Sequence, residues 1–125
     1  PKSNESIPIR LNYLFEEVNK LLDQFSPNVL AVEDSFYSNN VKSAMILGQA
    51  RASILLPAVQ ADIPIHQFAP RKVKMSVCGN GAASKEQVSY MVSKILKLKV
   101  KPKPLDISDA IAVGLCYINQ IRFHD

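Results

Sequence analysis

The sequence predicts an α/β fold, and three of its features carry that prediction. Apolar residues recur at 3.6-residue spacing in segments long enough for helices. One continuous apolar run, Val29-Leu30-Ala31-Val32, has the form of a strand covered on both faces. Helical and strand-like segments alternate through the first half of the chain, as they do where crossover helices join parallel strands. At 125 residues and 47% hydrophobic content, the chain can bury one core, and residues 1–125 read as a single domain.

Taken in order, residues 6 to 25 set Ile9, Tyr13, Leu14, Val18, Leu21, Leu22 and Phe25 at helical spacing, with Ser6 as N-cap and Pro8 in the first turn. Ser26-Pro27-Asn28 breaks this helix, and Val29 to Val32 follows as a central parallel strand. After a loop from Asp34 to Asn39, a long helix from Asn40 to Ala61 carries a stripe of Ala44, Leu47, Gly48, Arg51, Ile54, Leu55, Ala58 and Val59. Pro57 either kinks it or marks its last turns. Ile63 to Phe68 reads as a second strand, Pro70 opens a brief helix to Val77, and Gly79-Asn80-Gly81 is a turn. Ser84 with Gln87 matches a capping box, so a helix starts at Lys85 and buries Val88, Met91, Val92, Ile95 and Leu96. Lys101 to Pro104 is a poorly helical connector. A last helix, Asp106 to Ile121, presents Ile107, Ala110, Ile111, Gly114, Leu115 and Ile118. Two strands are too few for these helices, since sheets of this size usually have four to six strands and an isolated pair is marginal. Part of the sheet is expected to be missing from the sequence.

Fifteen Lys and Arg against eleven Asp and Glu give a net charge of +4, and the excess is local: Arg71, Lys72 and Lys74, then Lys94, Lys97, Lys99, Lys101 and Lys103. Such a patch suits a polyanion such as DNA or RNA, although a lysine-rich stretch taken alone is better explained by a solvated helix face and loop. Cys78 and Cys116 stand 38 positions apart without Cys/His ligand spacing, which argues against zinc and redox motifs and for two reduced, packed thiols. No apolar run approaches the ~20 residues that cross a bilayer and no signal peptide opens the sequence. The expected location is the cytoplasm, with no membrane partner.

The chemistry points to three acids. Glu33 follows the apolar strand run, where open α/β sheets place their sites, and Asp106 and Asp109 project from one side of a helix at i, i+3. Two unit charges ~4 Å apart repel by about 4 kcal/mol at an effective dielectric near 20, so a cluster of acids needs protons or cations. Hydrated Mg²⁺ or Mn²⁺ is the natural guest. The plainer explanations are that Asp106 and Asp109 cap the final helix, at N-cap and N3, and that Glu33 is a solvated strand end.

Five collinear pieces, Ala31-Val32-Glu33-Asp34-Ser35-Phe36, Leu47-Gly48-Gln49-Ala50-Arg51, Ala69-Pro70-Arg71-Lys72-Val73-Lys74, Lys85-Glu86-Gln87-Val88 and Asp106-Ile107-Ser108-Asp109-Ala110, resemble RuvC, the family of bacterial Holliday junction resolvases. The resemblance implies a ribonuclease H-like three-layer fold, helices around a mixed sheet, with four acids binding two divalent metals. Three of those acids map onto Glu33, Asp106 and Asp109. The fourth belongs to a first-strand Gly-Ile-Asp-Pro-Gly-like segment that this sequence does not contain, so an N-terminally incomplete domain is expected. As it stands the chain is expected to be inactive or severely impaired, because losing one acid removes a metal ligand. The resemblance further implies Lys74 and Lys85 near the scissile phosphate, Phe36 prising open the junction core, a homodimer built on the long helix, and work with the branch-migration proteins RuvA and RuvB.

Arg71, Lys72, Lys74 and Lys85 are the candidate phosphate contacts, and Arg51 either reaches phosphate or closes its helix against a neighbour. Phe36 has a plain alternative too, a loop aromatic folded back on the core. No role is assigned to His66 or His124. Two rival functions stay open: a catalytically inactive junction-binding module, and an RNA-processing nuclease of the YqgF type.

Overall fold

The structure, a computed structural model, describes residues 4–34 and 40–124. The element order is α1 (Ile7–Phe25), β1 (Leu30–Glu33), α2 (Val41–Gln60), β2 (Ile65–Phe68), α3 (Pro70–Cys78), α4 (Lys85–Ile95) and α5 (Leu105–His124). β1 and β2 form a two-stranded sheet. Leu30 N–H donates to Pro64 O at 2.9 Å and Asp34 N–H to Phe68 O at 2.7 Å, four residues further along both strands, so the pairing is parallel. β1 is therefore not a central strand within the described residues, and all four of its residues are only half-buried.

The chain gathers into two compact units. The first comprises residues 1–30 and 36–65, the second residues 31–35 and 66–125. In the first, α1 packs on α2. The Ser6 side chain makes no cap bond, but Pro8 stands in the first turn, where its missing N–H costs nothing. At the other end Ser26 adopts φ 44° and its N–H closes on Leu22 O, stopping the helix ahead of Pro27. Asn40 caps α2 by accepting from Ser43 N–H at 2.8 Å, and Pro57 lies buried in the last turn of α2. Much of the expected apolar face is uncovered: Ile9, Tyr13, Leu21 and Phe25 on α1, and Leu47 and Val59 on α2, are exposed.

The second unit holds the main core, built from Phe68, Val73, Val77, Ala83, Val88, Val92, Ala112, Val113 and Cys116. Gly79, at φ 73°, ends α3 in the left-handed region that favours glycine. The capping box at α4 is complete, with Gln87 N–H donating to Ser84 Oγ and Ser84 N–H to Gln87 Oε1. Two expectations about buried faces are corrected here. On α4, Ile95 and Leu96 are exposed, because they fall in the last turn beyond the core, and Ser89 is buried instead. On α5 the buried stripe is Ser108, Ala112, Val113 and Cys116, whereas Ile107 and Ile118 are 46% and 47% exposed. Residues 110 to 118 are apolar all round the helix, so the pattern contains no polar face by which to orient it.

Cys78 and Cys116 are free thiols, Cys116 in the core, and the His66 ring packs on Tyr117 with centroids 4.8 Å apart. Among the described residues, no helix is long and apolar enough to cross a membrane.

Candidate active site

A cleft of about 110 Å³ in the second unit is lined by Glu33, Pro70, Val73, Lys74, Lys85, Val88, Asp109 and Ala112. It exists because four elements end there: β1 delivers Glu33 as its last residue, α3 starts at Pro70, α4 starts at Lys85, and α5 brings Asp109 in its second turn. The apolar walls, Val73, Val88 and Ala112, belong to the core, so the charged groups sit over dry packing.

Burial pushes the Glu33 carboxyl above its ordinary range, and the Asp109 charge pushes it the same way, while Lys74 and Lys85 pull it back. Glu33 and Asp109 therefore face each other closely enough to repel. Lys85 Nζ lies 3.4 Å from Asp106 Oδ1 and 3.6 Å from Asp109 Oδ2, and bridges the two. Its hydrogen bond with Asp106, then the charges of Asp109 and Asp106, raise its own pKa. Asp106 stands at the rim, its side chain 81% exposed against 30% for Asp109. It is also not the cap of α5, which begins one residue earlier at Leu105. Three acids thus meet two lysines, but they are not equivalent: Glu33 and Asp109 share the cleft, and Asp106 reaches it through Lys85.

The carboxylate oxygens are the donors that a hard divalent cation takes, and the repulsion between Glu33 and Asp109 is what such a cation would relieve. On that chemistry Glu33 and Asp109 could hold such a cation, with Asp106 at the edge. Among the described residues, no group of three or more His, Cys, Asp and Glu side chains is gathered tightly enough to make a metal site unaided.

The other expected contacts separate. Lys74 lines the cleft. Lys72 instead donates to Gln120 Oε1 at 3.3 Å and lies 5.5 Å from the Phe68 ring centroid, so it ties α3 to α5. Arg71 packs over buried Gly81, where an added Cβ would come within 2.6 Å of Arg71 Cγ. Arg51 lies half-buried on α2 in the first unit, and Phe36 falls outside the described residues. Sequence reasoning missed the buried pair Ser89 and Ser108, whose hydroxyls meet at 3.1 Å between α4 and α5 and lock the helix of Lys85 to the helix of the aspartates. Its trace in the sequence was one serine inside each apolar helical pattern, Ser89 and Ser108. A larger groove of about 420 Å³, lined by Cys78, Asn80, Ala83, Glu86, Gln87, Tyr90 and Met91, carries a single acid, so size alone does not mark the site.

Residues 2–117 match the family described as crossover junction endodeoxyribonuclease RuvC. A relative with that description from Dictyoglomus thermophilum is 47% identical over 116 residues, 93% of this chain and 73% of the relative. One from Natranaerobius thermophilus is 45% identical over 120 residues, 96% of this chain and 74% of the relative. The structure of Thermus thermophilus RuvC in complex with Holliday junction substrate aligns with a TM-score of 0.90 at 31% identity, covering 99% of this chain and 75% of that one. The same organism's RuvC structure gives a TM-score of 0.86 at 32% identity. The ribonuclease H-like α/β architecture expected from the sequence is thereby borne out. With a family match over nearly its whole length, relatives near half identity and a fold shared with a protein of the same description, the chain belongs to the RuvC family of crossover junction endodeoxyribonucleases.

Proposed function

We propose that the protein resolves four-way DNA junctions as a divalent-metal-dependent endonuclease, with Glu33, Asp109 and Asp106 as metal-holding acids and Lys74 and Lys85 as phosphate contacts. The observation that carries this reading is the meeting of Glu33, Asp109, Lys74 and Lys85 in one small cleft. The family match supports the reaction class and sets aside the RNA-processing alternative. The relative bound to a Holliday junction supports the substrate. We read residues 1–125 as one nuclease domain, because the match runs through both compact units.

A pair of Mg²⁺ or Mn²⁺ ions, when bound, supplies Lewis acidity and an activated water for in-line displacement at phosphorus. The chain's own residues provide the rest. Glu33 and Asp109 set the negative charge that draws cations into the cleft. The ammonium of Lys74, beside Glu33, is placed to meet a phosphate oxygen and to offset charge that develops on it. Lys85 holds Asp106 and Asp109 together and offers a second cation at the rim. Val73, Val88 and Ala112 keep the floor dry, which strengthens each of these interactions.

Two-fold junction symmetry calls for a two-fold protein, and the uncovered apolar residues of α2, Val41, Met45, Leu47, Leu56 and Val59, support a homodimer formed on that helix. In the cell the protein works in the cytoplasm with RuvA and RuvB. The rival reading, junction binding without catalysis, draws on the pairing of both aspartates with Lys85, which leaves them less free for a metal.

The test is cleavage of a synthetic four-way junction by the protein in its natural full length, with Mg²⁺ or Mn²⁺, beside Glu33→Gln and Asp109→Asn. Expected are paired cuts by the wild type and at least about a 100-fold loss in each variant, with junction binding kept. Binding without cutting by the wild type would establish the rival.

A further inference from the structure

We infer that residues 94–103 form a basic track gripping the backbone of the duplex arm that leads away from the cut, a contact separate from the cleft lysines. The inference rests on the junction-cleaving reading and adds to it where the arm lies.

Charge is the first support. Lys94, Lys97, Lys99, Lys101 and Lys103 supply five of the chain's fifteen cationic residues within ten positions, and no acid occurs between Glu86 and Asp106. Without those five, the net charge of +4 would be −1. The attraction of this chain for a polyanion therefore resides in this segment and not in a generally basic surface.

The second support is what these lysines do in the fold. Lys85 is held by two aspartates, Lys72 by Gln120 and Phe68, and Lys20 by Glu17. Among the described residues, none of the five in the track has a carboxylate within ion-pair reach, and all five are exposed. Lys101 alone has a partner, lying 5.7 Å from the Tyr90 ring centroid. Lys97 holds φ 55°, a conformation that glycine adopts at lower cost, in the turn that reverses the chain after α4. Its N–H closes on Lys94 O and that of Leu98 on Ser93 O, so the turn fixes the backbone from which the Lys97 side chain extends.

Position is the third. α4 starts at Lys85, against the aspartates, and its 11 residues carry the chain about 16 Å away at 1.5 Å per residue. The track begins at that far end and returns to Leu105, beside Asp106. A strand with one phosphate per 3.4 Å of duplex axis places about five phosphates along that span. A phosphate in the cleft thus has the next helical half-turn of its arm alongside Lys103 back to Lys94.

The experiment uses an immobile four-way DNA junction and the protein carrying Lys97→Gln, Lys99→Gln, Lys101→Gln and Lys103→Gln together. All four are surface positions outside the cleft. Binding is followed by fluorescence anisotropy from low to moderate KCl. At about 0.9 in the slope of log K against log[salt] for each phosphate contact, the slope should fall by about 2 to 3.6. Neutral methylphosphonates placed about two to five nucleotides from the cut, clear of the phosphate that Lys74 and Lys85 meet, should weaken the wild type and leave the variant's affinity unchanged, with no effect in either protein when placed about ten or more away. A slope unchanged within about half a unit overturns the track, as does a slope loss indifferent to where the neutral linkages stand. A wild type that binds normally beside an unaffected variant sinks the track alone, and a wild type that does not bind the junction sinks the reading beneath it as well.

Discussion

Replacing Ser108 by alanine removes one hydroxyl from the only hydrogen bond that buried side chains make between α4 and α5 among the described residues. Ser108 is fully buried and Ser89 is 1% exposed, with their oxygens 3.1 Å apart. The remaining Ser89 hydroxyl then sits in the core without its partner, a penalty of about 1–3 kcal/mol. An unfolding entropy of about 2.1 cal/mol/K per residue gives roughly 0.26 kcal/mol/K for a chain this long, so each single variant should lower Tm by about 4–11 °C. The double variant Ser89→Ala/Ser108→Ala leaves no orphan, and its loss should be smaller than the sum of the singles by about 1 kcal/mol or more. Urea unfolding and calorimetry on the four proteins complete the cycle. Single losses under about 0.5 kcal/mol would refute the reasoning, and would mean that the orphaned hydroxyl turns to a carbonyl of its own helix. Additive losses would refute it too, since the two groups would then be stabilising the fold independently.

Glu33 makes a prediction about pH in the metal-free protein. Its folded pKa lies above the ordinary 4.5, through burial first and Asp109 second, so the native state holds this proton more tightly than the unfolded chain. Its contribution to stability is present below about pH 4.5 and is lost as pH rises through the folded value. In EDTA, Glu33→Gln should therefore raise Tm at pH 7 relative to wild type, by a margin that shrinks toward pH 4; equal Tm values across that range would remove the repulsion argument. In the core, Val92 is fully buried, and Val92→Ala should cost about 2–3 kcal/mol by urea midpoint. A loss under about 1 kcal/mol would show that the site collapses around the smaller side chain.

Much of the fold was legible because its signals are local. The capping box of Ser84 and Gln87, the proline opening α3, the glycine ending it and the apolar run of β1 each act within a few residues, where propensity and hydrogen bonding decide the outcome. That only two strands occur among the described residues was legible too, as a count of elements. The buried face of α5 was not, because a helix apolar on every side is oriented only by its neighbours. The candidate site divides the same way. Residue type and spacing picked out Glu33, Asp106 and Asp109, but only tertiary packing decides that Glu33 and Asp109 share a cleft while Asp106 stays at its rim. Lys72 and Arg71 stood out only as part of a charge cluster, and it is packing that sets Lys72 beside Gln120 and Arg71 over Gly81. What the sequence by itself determines here is which charges exist and on which elements they ride. Which of them meet depends on the order in which α3, α4 and α5 stack on β1, a matter of contacts between residues far apart in the chain that no local pattern encodes.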